Sequence, residues 1–356
     1  MKRLLLLALA LPLLAFAAAC GSGDDPGASA TAPAGNGSER VTLRLGYFPN
    51  VTHVQPQVGL ARGTFTELLG SNVTLKATEF NAGPSVIEAL FAGEIDASYI
   101  GPNPAINGYV RSDGKELRIV AGATSGGARL IVRPEANIKK PADFANKKIA
   151  SPQLGNTQDV ALRSWLAANA LNAREQGGNV QVLPTANADQ LTLFQNGQID
   201  AAWAPEPWAS RLEQEAGGVE FLNEKTLWPD GKFVTTHLIV KTSFLEAHPD
   251  VVENLIRAHV ETTGWIAQNP DEAKRLVNEN IENVTSKALP QAVIDAAWKQ
   301  IDVTYDPIVS SLFTSAEDAF ALGFLGDDEP DLSSIYALDL LNKVLREKNL
   351  PEVEAR

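Results

Sequence analysis

The chain has 356 residues, long enough for one large domain or two, with 43 acidic against 30 basic side chains and one cysteine. A formal net charge of −13 argues against nucleic acid as a partner, which needs basic patches. A lone cysteine leaves nothing for disulfides or thiolate metal sites, but an anionic ligand stays open, because N–H groups at helix N-termini hold anions without formal positive charge.

Lys2 and Arg3 precede an apolar run, Leu4 to Ala19, that ends in small residues before Cys20. A basic head, an apolar body and a small-residue cleavage site make a secretory signal. Ala17-Ala18-Ala19 before Cys20 resembles a bacterial lipoprotein box, with Ala17 where such boxes usually carry Leu. That resemblance implies residues 1–20 as a lipoprotein signal, Cys20 lipidated, and attachment to the extracytoplasmic face of a membrane. Residues 21–40 hold no large apolar side chain and are expected to form a flexible linker.

From Val41 the chain alternates strands and helices. Val41–Tyr47 and Val73–Phe80 read as strands, separated by a polar loop at Pro49–Pro56 and a helix at Val58–Leu69. Pro84 and Ser85 start a helix, and Leu117–Thr124 is a further strand. A second unit repeats this grammar: strand Lys148–Ser151, helix Asp159–Leu171, strand Asn179–Leu183, helix Ala188–Phe194. Arg129–Arg133 and Val234–Lys241 are the expected crossings between units. Beyond Lys241 the pattern is helical: Pro249–Gln268, Pro270–Glu279, Pro290–Trp298, Ser315–Leu322 and Ser333–Lys348.

Two segments match each other. Laid Gly93 on Gly197, Ala89–Pro104 and Leu193–Trp208 share Gly-x-Ile-Asp-Ala, then an aromatic residue (Tyr99, Trp203), then a Pro-rich turn. Each reads as a helix end, a Gly cap, a buried strand and a turn at the strand's C-terminal edge, where open α/β sheets bind ligands. The signatures His-Glu-x-x-His, Gly-x-Ser-x-Gly and the P-loop are missing, and the four histidines show no metal spacing.

These segments, with Pro141–Ala150, Phe244–Val252 and Asn269–Ala273, resemble the solute-binding lipoproteins of ABC importers, in the group that binds nitrate, taurine, aliphatic sulfonates and thiamine-pyrimidine precursors. Trp228–Gly231 and Thr304–Pro307 bring the aliphatic-sulfonate type nearest. The resemblance implies an α/β, two-lobed periplasmic-binding-protein-like (type II) fold, each lobe a mainly parallel sheet flanked by helices, with the ligand cleft between lobes. Lobe 1 is expected at residues 41–131 plus 237–356 and lobe 2 at 132–236. It also implies a monomer without cofactor or catalysis, a small-molecule solute, and ABC permease subunits as partners. A thiamine-pyrimidine synthase is the enzymatic alternative; it depends on a cysteine-rich segment that this chain does not have. A solute sensor without transport is a further alternative.

Candidate ligand-binding residues follow from the turns. Asn50, Thr52 and His53 follow the first strand; Asn81, Gly83 and Ser85 open a helix, as do Gly155, Asn156 and Thr157 in the second unit. Ordinary helix capping uses the same atoms, so both roles stand open. Asn103, Glu206 and Trp208 close the two repeats, with Asn103 a head-group donor and Trp208 a wall for an aliphatic tail. Glu206 suits an anionic solute only if it is paired, with Arg129 as one candidate; unpaired, it favours a zwitterionic or neutral solute. Ser125 and Gly126 precede the first crossing, as ligand donors or as a plain turn. Thr235, Thr236 and His237 are expected at the hinge.

Overall fold

A computed structural model describes residues 40–354; the signal segment, Cys20 and the linker as far as residue 39 lie outside the described residues. The first sheet opens with β1 (Val41–Tyr47), in which Leu43, Leu45 and Tyr47 are buried. A 3-10 turn at Val51–His53 runs into α1 (Val54–Ala61), and Gly63, at φ 74°, separates it from α2 (Thr64–Leu69). The helix expected at Val58–Leu69 is therefore two, and the loop expected at Pro49–Pro56 is helical from Val51. β2 (Val73–Glu79), α3 (Gly83–Phe91), β3 (Ala97–Ile100), α4 (Pro102–Arg111) and β4 (Leu117–Gly126) complete this unit.

Gly127 alone separates β4 from β5 (Ala128–Val132), the first strand of the second sheet. Then come β6 (Lys148–Ser151), α5 (Thr157–Ala168), β7 (Gln181–Pro184), α6 (Asn187–Gln195), β8 (Ala201–Pro205), α7 (Trp208–Ala216) and β9 (Val219–Asn223). The chain returns as β10 (Val234–Lys241), followed by α8 (Thr242–Ala247), α9 (Pro249–Gln268), α10 (Pro270–Thr285) and α11 (Gln291–Trp298). A short strand β11 (Ile301–Val303), α12 (Val309–Ala321) and α13 (Asp339–Glu347) end the fold.

The sheet orders are β11-β4-β10-β3-β1-β2 and β7-β6-β8-β5-β9. β1 pairs in parallel with β2 and β3, and β6 with β7 and β8, whereas β10 lies antiparallel between β3 and β4, and β5 antiparallel between β8 and β9. The sheets are thus mixed, not parallel throughout. β5 and β10 enter directly from the other sheet, without the helical crossover that brings a strand back parallel. The crossing falls at Gly126–Gly127, both at positive φ, so the boundary expected after Ile131 lies inside β5 and the one expected after Thr236 inside β10. β9 and β11 had no counterpart in the sequence reading, and only Asp339–Glu347 of the helix expected at Ser333–Lys348 is helical. The preceding turn instead docks on β4, Ile119 N–H donating to the Ile335 carbonyl at 2.8 Å.

Each sheet has its own apolar layers. α2, α9 and α13 cover one face of the first sheet through Phe65, Leu255 and Leu341; α3, α4 and α12 cover the other through Leu90, Ile106 and Leu312. The second sheet is enclosed through Phe144, Leu166 and Trp203 on one side and Leu191, Phe194 and Leu212 on the other. No helix among the described residues is long and apolar enough to cross a membrane.

Candidate functional site

The C-terminal ends of β1, β2 and β3 face those of β6, β7 and β8 around a small polar cavity. From the first lobe it is lined by Phe48, Asn50, Thr52 and His53 after β1, Asn81 after β2, Gly101 after β3, and Thr235 on β10. The second lobe contributes Asn156, Thr157 and Gln158 after β6, Asn187 after β7, and Pro205 at the end of β8. The cavity encloses about 20 Å3, room for about one water, so the lobes stand closed on it.

Glycine makes that closeness possible. A Cβ on Gly101 would stand 2.3 Å from Thr157 Oγ1, and one on Gly83 would meet Pro104 at 2.2 Å and Asn156 Oδ1 at 3.3 Å. Three helices open at the cavity, α4 after Gly101, α5 after Asn156 and α6 after Ala186, and none has a side-chain cap bond. Thr157 and Gln158 are the first residues of α5, so their N–H groups have no acceptor in a preceding turn. Asp159 orders this corner, its carboxylate accepting from Ser151 Oγ, the Gly155 N–H and Arg163.

No Asp, Glu, Lys or Arg lines the cavity. Burial pushes His53 down to about 3, so its imidazole is neutral. Its Nδ1 accepts the Phe48 N–H at 3.4 Å, its ring stacks on Phe48 at 4.3 Å, and the ring proton falls to Nε2. Two buried side-chain oxygens of the lining, Thr157 Oγ1 and Asn187 Oδ1, have no protein partner. The site can therefore surround a small polar group with neutral donors and helix N-termini.

A wider chamber of about 510 Å3 adjoins this cavity and shares Asn50, Asn81 and Asn187 with it. Its walls include Phe80, Trp208, Ile281, Val284, Leu289 and Pro290, with Arg211, Glu215 and Lys287 as its charged residues. The Trp208 indole N–H donates to Asn50 Oδ1 at 3.0 Å across the lobes.

Six of the candidate ligand-binding residues thus meet in the cavity, Asn50, Thr52, His53, Asn81, Asn156 and Thr157, together with Thr235, which was expected only at the hinge. Trp208 lines the adjoining chamber, and most of the others lie elsewhere. Ser85 is exposed on α3, and Asn103 donates to the Ser315 carbonyl at 3.1 Å inside its own lobe. Ser125 and Gly126 belong to the crossing: Ser125 Oγ accepts the Phe233 N–H, and the Gly126 carbonyl accepts from Thr235 Oγ1. Thr236 and His237 are buried within β10, where His237 Nε2 meets the Pro307 carbonyl at 3.1 Å. Gly155 is tied to Asp159, and Glu206 is fully buried against Arg129 at 2.8 Å, with the Ser210 N–H on its other oxygen.

Phe48 and Asn187 were not anticipated; Gln158 continues the helix opening expected at Gly155–Thr157, and Gly101 and Pro205 lie in the turns that close the two repeats without having been named as ligand-binding residues. Asn187 had a readable signal, since it follows its strand as Asn81 follows β2.

A second groove of about 710 Å3 lies between α12 and residues 329–333, lined by Phe313, Phe320 and Leu332 with Glu317 and Glu329 among its residues. It belongs to one lobe, so closure does not enclose it.

Two lobes, two mixed sheets and a cleft at the strand ends define a solute-binding protein fold. The chain belongs to the NMT1-like family, whose model matches residues 36–281. A putative binding protein of Brucella abortus is 25% identical over 249 residues, covering 65% of this chain and 74% of its own. A putative aliphatic sulfonates-binding protein of Bacillus subtilis is 23% identical over 278 residues, 77% of this chain and 80% of its own. Among solved structures, the alkanesulfonate-binding protein SsuA of Xanthomonas axonopodis, bound to MOPS, superposes with TM-score 0.68 at 20% identity, over 82% of this chain and 96% of that one. The nitrate-binding protein NrtA of Synechocystis gives 0.73 at 16%, over 88% and 90%. The desulfurization enzyme DszB also has this fold, with TM-score 0.62 at 14% identity over 87% of this chain and all of that one.

Proposed function

We propose that this protein is the extracytoplasmic solute-binding component of an ABC importer, and that it captures a small aliphatic sulfonate or sulfate ester between its lobes for delivery to the permease. The carrying observation is the uncharged, donor-lined cavity, with α4, α5 and α6 opening on it uncapped and the Thr157 hydroxyl buried there without a partner. A singly charged oxyanion needs donors and positive dipole ends, not a second buried ion. The adjoining chamber, walled by Phe80, Trp208 and Leu289, suits the organic tail. With Glu206 ion-paired to Arg129, the argument for a cationic group on the solute falls away.

The named relatives that bind sulfonates support this reading. We read the two sheets as the closing lobes, with the chain crossing at Gly126–Gly127 and returning between Asn223 and Val234. On the same reading Cys20 carries the lipid anchor and the folded body is a monomer at the membrane surface. A cavity of about 20 Å3 must widen to admit even a sulfonate head, so capture requires the lobes to part. That tightness also favours nitrate as the second reading, because it is the smallest of the candidate anions.

Isothermal titration with ethanesulfonate, taurine, nitrate and a hydroxymethylpyrimidine separates the alternatives. Ethanesulfonate is expected to bind more tightly than nitrate, because only it fills the apolar chamber. Heat with nitrate alone, or with the pyrimidine alone, overturns the sulfonate assignment.

A further inference from the structure

Trp208 opens α7 and belongs to the second lobe, yet its strongest polar contact is with the first. Its Nε1–H donates to Asn50 Oδ1 at 3.0 Å. An indole N–H can only donate, so the Asn50 amide must present its oxygen to Trp208 and turn its NH2 group away. Asn50 is buried and lines both the inner cavity and the outer chamber. Its backbone is held too: Gln57 Nε2 donates to the Asn50 carbonyl at 2.6 Å and to the His53 carbonyl at 2.9 Å. Trp208 is braced from its own helix, with the Arg211 guanidinium 4.6 Å from the ring centroid. Arg211 in turn is gripped by Glu215 through bonds of 2.9 and 3.1 Å.

We infer that Trp208 is a positioning residue: when the lobes close, its indole N–H sets the Asn50 amide so that both of that amide's N–H donors serve the solute head group. Because donor and acceptor sit on different lobes, the bond forms only on closure. It thereby couples the position of the lobes to the donor character of the cavity. An unfixed asparagine amide offers oxygen or nitrogen with little preference, and an oxygen turned inward would repel an oxyanion. The inference rests on the cleft being the oxyanion site proposed above.

The test is a double-mutant cycle on the full folded protein, with ethanesulfonate as the probe. Trp208→Phe keeps a ring in the chamber and removes the N–H. It is expected to weaken ethanesulfonate binding by about tenfold, the scale of one charge-assisted hydrogen bond. In the Asn50→Ala background the same change is expected to cost less than about twofold, because the group it orients is gone. With indole-labelled tryptophan, the Nε1–H resonance lost in Trp208→Phe is expected to shift when wild-type protein binds ethanesulfonate. Binding within about twofold of wild type for Trp208→Phe, equal losses in both backgrounds, or a resonance unmoved by solute overturns the role of Trp208. Absence of ethanesulfonate binding by the wild type overturns the oxyanion reading, and this inference with it.

Discussion

Buried carboxylates beside the cleft determine which charge it can accept. Glu206 ends the turn after β8, one residue beyond a cavity wall, but its charge is spent on Arg129. Burial lowers the affinity of Arg129 for its proton, yet Glu206, Glu220 and Glu213 around it more than offset that and hold it above the ordinary value. Glu224 is different: it is fully buried, accepts the Trp203 indole N–H at 2.7 Å, and is pushed up to about 7, chiefly by desolvation. Its folded value lies above the ordinary 4.5, so it contributes stability at low pH that is lost as pH rises through about 7. Glu224→Gln, which keeps an acceptor and removes the charge, is expected to raise the melting temperature at pH 8 and to change it little at pH 5. An equal shift at both pH values, read by calorimetry, would show that Glu224 is not protonated in the fold. The pairing of Glu206 was one of two readings open in the sequence, because Arg129 lies 77 residues away and only the β5–β8 ladder, with Arg129 opposite Ala204, brings them together.

At the scale of elements, the doubled Gly-x-Ile-Asp-Ala segment builds the sheets. Gly93 and Gly197 take φ of 72° and 69° at their helix ends, where a left-handed backbone suits glycine. Asp96 accepts the Arg44 N–H and Asp200 the Lys148 N–H, each at 2.8 Å, so each copy clamps its own strand to the parallel neighbour. Tyr99 and Trp203 are fully buried. That duplication was legible because it is local in the chain and repeats. The lining residues were legible where a strand runs into a helix start, as at Asn81 and at Asn156–Thr157. They were not legible at Gly101 and Pro205, whose importance depends on what the opposite lobe places against them. Ser85 and Asn103 misled because a helix start shows which residues come first but not which way they face. Gly101→Ala tests the contact between elements. Its methyl would stand 2.3 Å from Thr157 Oγ1, so the lobes must part to admit it. It is expected to weaken solute binding at least about tenfold while the melting temperature falls only slightly, since both cores are untouched. Unaltered binding by titration calorimetry would show that closure at this point is not needed.

For the whole molecule, the lobes meet through Val160 of α5, which is buried in the apolar cluster of α4 and α12, through the cleft contacts, and through a few polar contacts outside the cleft. Lys225 meets Asp302 at 2.7 Å, Ser164 meets Asp318 at 2.7 Å, and Gln214 reaches the Ala292 carbonyl at 3.1 Å. An exposed ion pair such as Lys225–Asp302 contributes about 0–1 kcal/mol, small beside the stability of either core. The two crossings, at Gly126–Gly127 and before Val234, are bonded to each other through the Gly126 N–H and the Phe233 carbonyl, so they are placed to move as one hinge. A solute that supplies acceptors to the N–H groups of Thr157 and Gln158 from one side and to His53 and Asn50 from the other would shift the population toward the closed form. The most direct measurement is a crystal structure of the protein grown with ethanesulfonate. The sulfonate is expected between the closed lobes, its oxygens within hydrogen-bond distance of the Thr157 or Gln158 N–H and of His53 Nε2, with the ethyl group toward Trp208 and the Trp208–Asn50 bond intact. Ethanesulfonate seated instead in the groove beside Phe313 and Phe320, or a cleft that holds no ethanesulfonate at saturating concentration, would contradict that reading.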